Sequence, residues 1–448
     1  METRTAQYEL FGSERIGRVL WKIAPPVMLG QLIQALYNIV DSFFVGRYSD
    51  DALTAVTVIY PLQLAIIALA VGTGVGVNTY MARKYAQQNP HRADAAAGTG
   101  MVLACLMWAV FAGLSVLIIR PYVRMSAMAG STAIEDAVTY GTIVCVGSLG
   151  TFLEGCWTKV HQARGNMRLP MIAQIIGALI NILFDWLLIF GVGPFPELGI
   201  AGAAYATVLG QWISAAIVGV TAFRRPPSVS AMRQLAARIY HYGYSSIAMQ
   251  MLYVVYIVVL NVILAGFSDA AVTVLGLYYK AQSFFFIPLF GLQTCIVPVL
   301  SFNHARKNHA RCRDTMRHAL LISLAFMLIG ILCFTLLPEQ LLRLFSKSEQ
   351  VIQIGKVAFP IIGSSFVGAV FSLMMPVFFQ AIGHGLTSLM LSLTRQIFLL
   401  IPIFWVCSRI GLNYVWIAFP ASELIAGAVG LALYYRQLVI WELPVTRR

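Results

Sequence analysis

Two aspartates and an asparagine stand where the chain is otherwise apolar. Asp41 closes the run Gln34-Ala35-Leu36-Tyr37-Asn38-Ile39-Val40-Asp41, and Asp185 closes Asn181-Ile182-Leu183-Phe184-Asp185. A carboxylate in a membrane-spanning helix costs about 2.5–3.5 kcal/mol on insertion scales, so each needs a reason to be there. Asn181 and Asp185 have i, i+4 spacing and share one helix face. Two acids with neutral oxygen donors beside them can hold a proton or a small cation, and if close together they titrate as a pair. All seven histidines map to connections on one side, so carboxylates are the proton carriers the sequence offers.

The elements that must position these residues follow from composition. The 448 residues are 59% hydrophobic and only 11% charged, with mean hydropathy +0.78. That excludes a soluble enzyme, a nucleic-acid-binding domain and a disordered scaffold. Twelve apolar runs of spanning length are expected, near 18–45, 53–80, 96–119, 134–157, 169–193, 198–222, 241–266, 270–300, 318–338, 354–379, 386–408 and 411–435. Of the 31 Lys and Arg, 22 fall in the termini and even-numbered connections and 6 in the odd-numbered ones. The net charge of +13 is therefore a topology signal, with both termini cytoplasmic, and no nucleic-acid partner is expected. On this frame Asp41 lies about 7 Å and Asp185 about 12 Å inside the outer ends of their helices. Tyr140 and Thr207 enter from the same side at similar depth.

The chain reads as two copies of one unit. At an offset of 219, Tyr48-Ser49-Asp50-Asp51-Ala52-Leu53-Thr54 falls on Phe267-Ser268-Asp269-Ala270-Ala271-Val272-Thr273. The same offset pairs Gln31 with Gln250, Asn89 with Asn308 and Arg92 with Arg311, and an offset of 218 pairs Gln162-Ala163-Arg164-Gly165 with Gln380-Ala381-Ile382-Gly383. Six helices separate the copies, so they are parallel and related about the membrane normal. The expected fold class is an all-α integral membrane protein of twelve helices in two six-helix lobes. Its parts are a lead-in over 1–17, an N-lobe over 18–222, a basic joint over 223–240, a C-lobe over 241–436 and a tail over 437–448. Such duplication usually serves alternating access, which favours a transporter over a channel or an enzyme. The seven cysteines form no CxxC pair and read as small buried apolar residues.

The lobes differ in their ionisable residues. Symmetry sets Leu260 opposite Asp41 and Ile403 opposite Asp185, so the acids belong to the first lobe alone. The second lobe carries Lys280, Arg395 and Glu423 near mid-membrane, expected as a structural ion-pair cluster. The alternative is that Lys280 faces a substrate cleft. Glu154 is expected to pair with Lys159 or Arg164. Among the helix prolines 25, 26, 61, 288 and 298, motion is expected only at Pro26.

These residues resemble the multidrug and toxic compound extrusion (MATE) family. Asn38-Ile39-Val40-Asp41-Ser42-Phe43-Phe44-Val45-Gly46-Arg47 is similar to its first-helix signature. Leu198-Gly199-Ile200-Ala201-Gly202-Ala203-Ala204-Tyr205-Ala206-Thr207, ending at Gln211, resembles the opening of helix 6. Phe379-Gln380-Ala381-Ile382-Gly383 with Arg395-Gln396 and Pro402 resembles the pattern of helices 10 and 11. The resemblance implies export of small lipophilic, often cationic compounds in exchange for H⁺ or Na⁺, with no cofactor. Asp41, Asn181 and Asp185 match coupling positions of the bacterial DinF-like branch, with Gln34, Tyr140 and Thr207 beside them; Na⁺ could sit at Asp41, Asn181, Asp185 and Thr207. Pro26 matches a first-helix proline linked to bending. The other bacterial branch carries acids in helices 7 and 10, which this sequence lacks there. A monomer in the inner membrane, among lipids, is expected. Two alternatives remain: a flippase for a lipid-linked amphiphile, which Lys280 and Arg395 would serve, and a non-transporting sensor or assembly factor.

Overall fold

The computed structural model describes residues 2–125 and 131–442. Among them the chain is helical, with no strand. The first half contains α1 (Glu2–Ser13), α2 (Ile16–Tyr48), α3 (Asp50–Ala86), α4 (Pro90–Met125), α5 (Ser131–Gly147), α6 (Leu149–Ala163), α7 (Arg168–Phe190), α8 (Ile200–Ala222) and α9 (Val229–Ala265). The second half contains α10 (Asp269–Phe285), α11 (Ile287–Ala305), α12 (His309–Leu336), α13 (Pro338–Arg343), α14 (Glu349–Gly363), α15 (Phe366–Ala381) and α16 (Gly385–Leu393). A π-helical segment, Thr394–Leu400, leads into α17 (Ile401–Ser408), α18 (Leu412–Val415) and α19 (Ala418–Glu442). Ten of the described helices are long and apolar enough to cross a membrane, or twelve spans if each of two bent pairs is one. Of the tail expected over 437–448, residues 443–448 lie outside the described residues.

Matching devices build the two halves. Ser49 Oγ accepts from the backbone N–H of Asp51, and its counterpart Ser268 accepts from that of Ala271. Asn89 caps α4 through the N–H of Arg92, and Asn308 caps α12 through that of Arg311, both at 3.1 Å. The preceding residues, Gln88 and Lys307, are the two non-glycine residues with positive φ among those described. The repeat is thus strongest where a cap must stop one helix and start the next.

Two spans expected as single runs are broken. At 134–157 the chain bends by 42° between α5 and α6, and at 354–379 by 55° between α14 and α15. Ser148 Oγ donates to the freed carbonyl of Cys145, and Trp108 Nε1 donates to that of Val146 at 2.9 Å. Ser364 Oγ does the same for Ile361, and Ser365 Oγ joins the Ser365 N–H on the Ile362 carbonyl. A break inside a bilayer is tolerated when side chains capture the released carbonyls, as these do. The run expected at 270–300 also divides, at Phe286. Pro288 stands in the first turn of α11, where its missing N–H costs nothing.

Packing groups the chain into two units, one of residues up to Leu10 with Pro25–Gln250, the other of Phe11–Ala24 with Met251–Arg448. Compared with halves at 18–222 and 241–436, each unit has given up its first helical turns. In the first unit α9 lies tightly on α3: a Cβ on Gly243 would come within 2.8 Å of the Gly72 carbonyl. Residues 229–240 therefore form the start of α9, with Leu235 and Ile239 buried, and not a loose joint. In the second unit Arg311 donates to the Phe11 and Glu14 carbonyls, and Cys295 Sγ reaches the Ile23 carbonyl. α2 passes from one unit to the other at Ala24–Pro25.

Candidate acid pair and cavity of the first unit

The acid pair is set by how α2, α7 and α8 meet. Phe44 and Tyr48 of α2 stand edge-on to Phe190 at the end of α7, with ring centroids 6.3 and 6.4 Å apart. Gly191 ends α7 in a left-handed conformation, and the Leu198 N–H returns to the Leu188 carbonyl at 2.9 Å. Gly199, with φ +54°, starts α8 where a Cβ would meet Tyr48. Deeper in, Gly177 and Gly210 let the backbones of α7 and α8 touch: a Cβ on either would lie 2.7–2.8 Å from the other's carbonyl oxygen. This close approach brings Thr207 against Asn181.

Asp41 and Asp185 are both buried, Asp185 completely, and their carboxyls are close enough to hydrogen-bond to one another. Oδ1 of each has no hydrogen-bond partner. No Lys, Arg or His pairs with either acid among the described residues. Asn181 joins the pair to α8. With its amide turned to satisfy both sides, Nδ2 donates to Asp185 Oδ2 at 3.3 Å and Oδ1 accepts from the Thr207 N–H at 3.1 Å. Tyr140, buried on α5, accepts from Gln63 Nε2 at 3.2 Å and stands within electrostatic reach of both acids.

A cavity of about 120 Å³ adjoins this pair. Asn181 and Thr207 form one end; Gln34 and Tyr37 of α2, Gln174 of α7, Gln211 and Ser214 of α8, and Thr151 and Glu154 of α6 line the rest. Along α7 it extends from Asn181 back to Gln174, about 10 Å at 1.5 Å per residue. Asp41, Asn181, Asp185, Thr207 and Gln34 are thus drawn together, with Tyr140 adjacent. Thr151, Glu154 and Gln174 were not anticipated as cavity residues. Their sequence signal is faint, being polar residues one or two turns apart on helices whose facing depends on the bend at Ser148.

Of the two partners expected for Glu154, Lys159 stands within electrostatic reach of it, and Arg164 does not pair with it. Glu154 Oε1 accepts from Thr158 Oγ1 at 2.8 Å, while Arg164 pairs with Asp94 at 3.1 Å and Lys159 Nζ donates to Gln162. Arg164 lies nearly three turns, about 15 Å, along the helix from Glu154, and Asp94 shares a second arginine, Arg224. The second-lobe cluster is also smaller than expected. Arg395 and Glu423 pair at 2.8 Å, and Ser372 Oγ donates to the other oxygen of Glu423. Lys280 is exposed and forms no ion pair among the described residues. Arg395 lies in the π-helical segment and meets Glu423 of α19. Pro26 lies within α2, which is helical on both sides of it, and follows Pro25, which opens the share of α2 that belongs to the first unit.

The family model described as MatE matches residues 26–187 and 245–406. The chain belongs to the MATE family. It is a transporter and not an enzyme, and a multi-pass membrane protein. The two matched stretches begin 219 residues apart, the offset of the internal repeat. The MATE chain is 24% identical over 431 residues to a protein named FAD transporter of Shewanella oneidensis, with 94% of each covered. It is 27% identical over 368 residues to a probable multidrug resistance protein, NorM, of Thermotoga maritima, covering 78% of this chain and 76% of that one. A solved MOP superfamily transporter from Pyrococcus furiosus shares the fold, with TM-score 0.90, 23% identity and coverage of 98% and 99%. Family membership sets aside the non-transporting sensor.

Proposed function

We propose that this MATE transporter exports small lipophilic or cationic compounds by antiport with H⁺ or Na⁺, the coupling ion binding at Asp41 and Asp185 with Asn181 and Thr207 beside them. The observation that carries this reading is the buried carboxyl pair without a cationic partner. A bond between two carboxyls requires a proton on one of them, because ionised carboxylates only accept. Two carboxylates with an amide and a hydroxyl oxygen also suit a hard cation such as Na⁺. Cargo binds while the pair is ionised, and uptake of the ion from outside removes the charge that held the cargo. Each positive charge moving inward contributes about 2.3 kcal/mol per 100 mV. Bending of α2 at Pro26 accompanies alternating access. The charge bias supports an inner-membrane protein with both termini cytoplasmic, and the relative named for multidrug resistance supports the cargo class.

The test is efflux of a fluorescent organic cation from vesicles under separate H⁺ and Na⁺ gradients. Driven efflux that Asp41→Asn or Asp185→Asn abolishes supports the reading and names the ion; efflux that survives both substitutions overturns it. A second reading, an anionic or lipid-linked cargo, draws on the exposed, unpaired Lys280 and on the relative named FAD transporter. Arg395 lends it little, since Glu423 neutralises it.

A further inference from the structure

We infer that Lys84, Arg92 and Arg238 form a site for the phosphate headgroup of an anionic phospholipid, at the end of the first unit that the charge bias assigns to the cytoplasm. The internal repeat shows what this place lacks. Lys84 stands in the last turn of α3 and Arg92 in the first turn of α4, and the offset of 219 sets Asn303 and Arg311 opposite them. The joint is built alike in both halves, with positive φ at Gln88 and Lys307 and caps at Asn89 and Asn308. An arginine in the first turn of a helix stands at its positive end, the unfavourable one, and is stabilised by acceptor oxygens. In the second unit Arg311 has three. It donates to Asn303 Oδ1 at 3.2 Å, and to the Phe11 and Glu14 carbonyls at 2.9 and 2.7 Å. Such carbonyls are left over where a helix ends, here α1. In the first unit a lysine replaces Asn303, and the Arg92 guanidinium has no hydrogen-bond or ion-pair partner among the described residues.

More positive charge gathers at the same place. Lys84 stands within electrostatic reach of Arg83, Arg92 and Arg238, the last of these from the start of α9. Arg83 donates to the Tyr242 hydroxyl at 3.3 Å and lies over that ring, while Lys84 donates to Gln87 and faces Tyr80. Asp94, two residues past Arg92, is already shared by Arg164 and Arg224. No ion pair among the described residues includes Lys84, Arg92 or Arg238, and both arginines are exposed. A charge bias sets orientation, but it does not require three helices to bring like charges together. A phosphate supplies both guanidinium forks with oxygens and relieves the repulsion. Because α3 and α4 are long and apolar enough to span, their joint lies at headgroup level, which favours a lipid over a soluble phosphate.

Native mass spectrometry of the delipidated full-length protein, titrated with phosphatidylglycerol or with phosphatidylcholine of the same acyl chains, tests this. In the wild type the first phosphatidylglycerol should bind at least about tenfold more tightly than the first phosphatidylcholine. Arg92→Gln with Arg238→Gln should bring the two lipids to within about twofold of one another. Arg92→Lys with Arg238→Lys keeps the charge and should keep most of the preference, which a misfolded protein would not. Arg168→Gln with Arg317→Gln removes two exposed charges elsewhere on the same side and should leave the preference intact. Excess inorganic phosphate should not displace the lipid. Equal binding of the two lipids by the wild type, an unchanged preference in the Arg92 and Arg238 glutamine pair, or an equal loss in the Arg168 and Arg317 pair overturns the inference. Full displacement by inorganic phosphate also overturns it, by making the site one for a soluble anion.

Discussion

Replacing Glu423 by glutamine leaves the Arg395 guanidinium buried without its counter-charge. The two side chains are only 11% and 10% exposed and approach to 2.8 Å. At about 4 Å between charge centres and an effective dielectric of about 20, their attraction is about 4 kcal/mol. Breaking one side of such a pair costs about 3–5 kcal/mol, whereas replacing both partners with apolar groups of similar size is often neutral. Ser372 can still donate to the glutamine oxygen, so the loss reports mainly the charge. We expect Glu423→Gln and Arg395→Met each to cost about 3–5 kcal/mol, and the two together to cost well below their sum. Denaturant titration of the four proteins in mixed micelles gives the coupling energy. Single substitutions costing under about 1 kcal/mol, or a double variant costing the sum of the singles, would refute a buried ion pair as the clasp between the π-helical segment and α19.

Gly177→Ala should cost about 1–3 kcal/mol in the same titration, since its Cβ would press on the Gly210 carbonyl. Gly113→Ala, with nothing within 4 Å of the new atom, should be neutral or stabilising, and equal effects would refute the contact. Arg311→Lys loses the fork that reaches Asn303, Phe11 and Glu14 together. Faster amide exchange over residues 11–16 is expected, and unchanged protection would show that this segment is held otherwise. Hydrogen bonds from Lys356 and Arg343 hold the Glu339 carboxyl below its ordinary value. Its stabilising contribution is therefore present above the ordinary carboxylate range and is lost as pH falls through the depressed value. The thermal midpoint of Glu339→Gln should lie below wild type at neutral pH and converge with it in acid; a gap that persists in acid contradicts the pairing.

Much of this was legible in the sequence because it depends on local rules. The caps at Ser49, Asn89, Ser268 and Asn308 are stop–start signals that survive duplication, and they reveal the repeat at single-residue register. Asp41, Asn181 and Asp185 stand out because apolar runs tolerate few acids, and helical spacing sets two of them on one face. The bends at Ser148 and Ser365 were hidden, because Gly147-Ser148-Leu149-Gly150 keeps the mean hydropathy of a straight span. With the bend unseen, Thr151 and Glu154 could not be placed on the cavity. The start of α9 was read as a joint because Arg233 and Arg238 mask the i, i+4 pair Leu235 and Ile239. Lys280 was grouped with Arg395 by depth alone, and depth carries no information about direction around the helix.

The central claim is that cargo and coupling ion compete for the charge of Asp41 and Asp185. It is tested most directly by adding a transported organic cation to the purified protein in weakly buffered, Na⁺-free detergent solution and measuring proton release. The account predicts proton release on binding by a proton-coupled protein or, in a parallel sample equilibrated with Na⁺, release of Na⁺ if that is the ion, and loss of the signal in Asp185→Asn. Saturating cation binding that releases neither ion from the wild-type protein would contradict it.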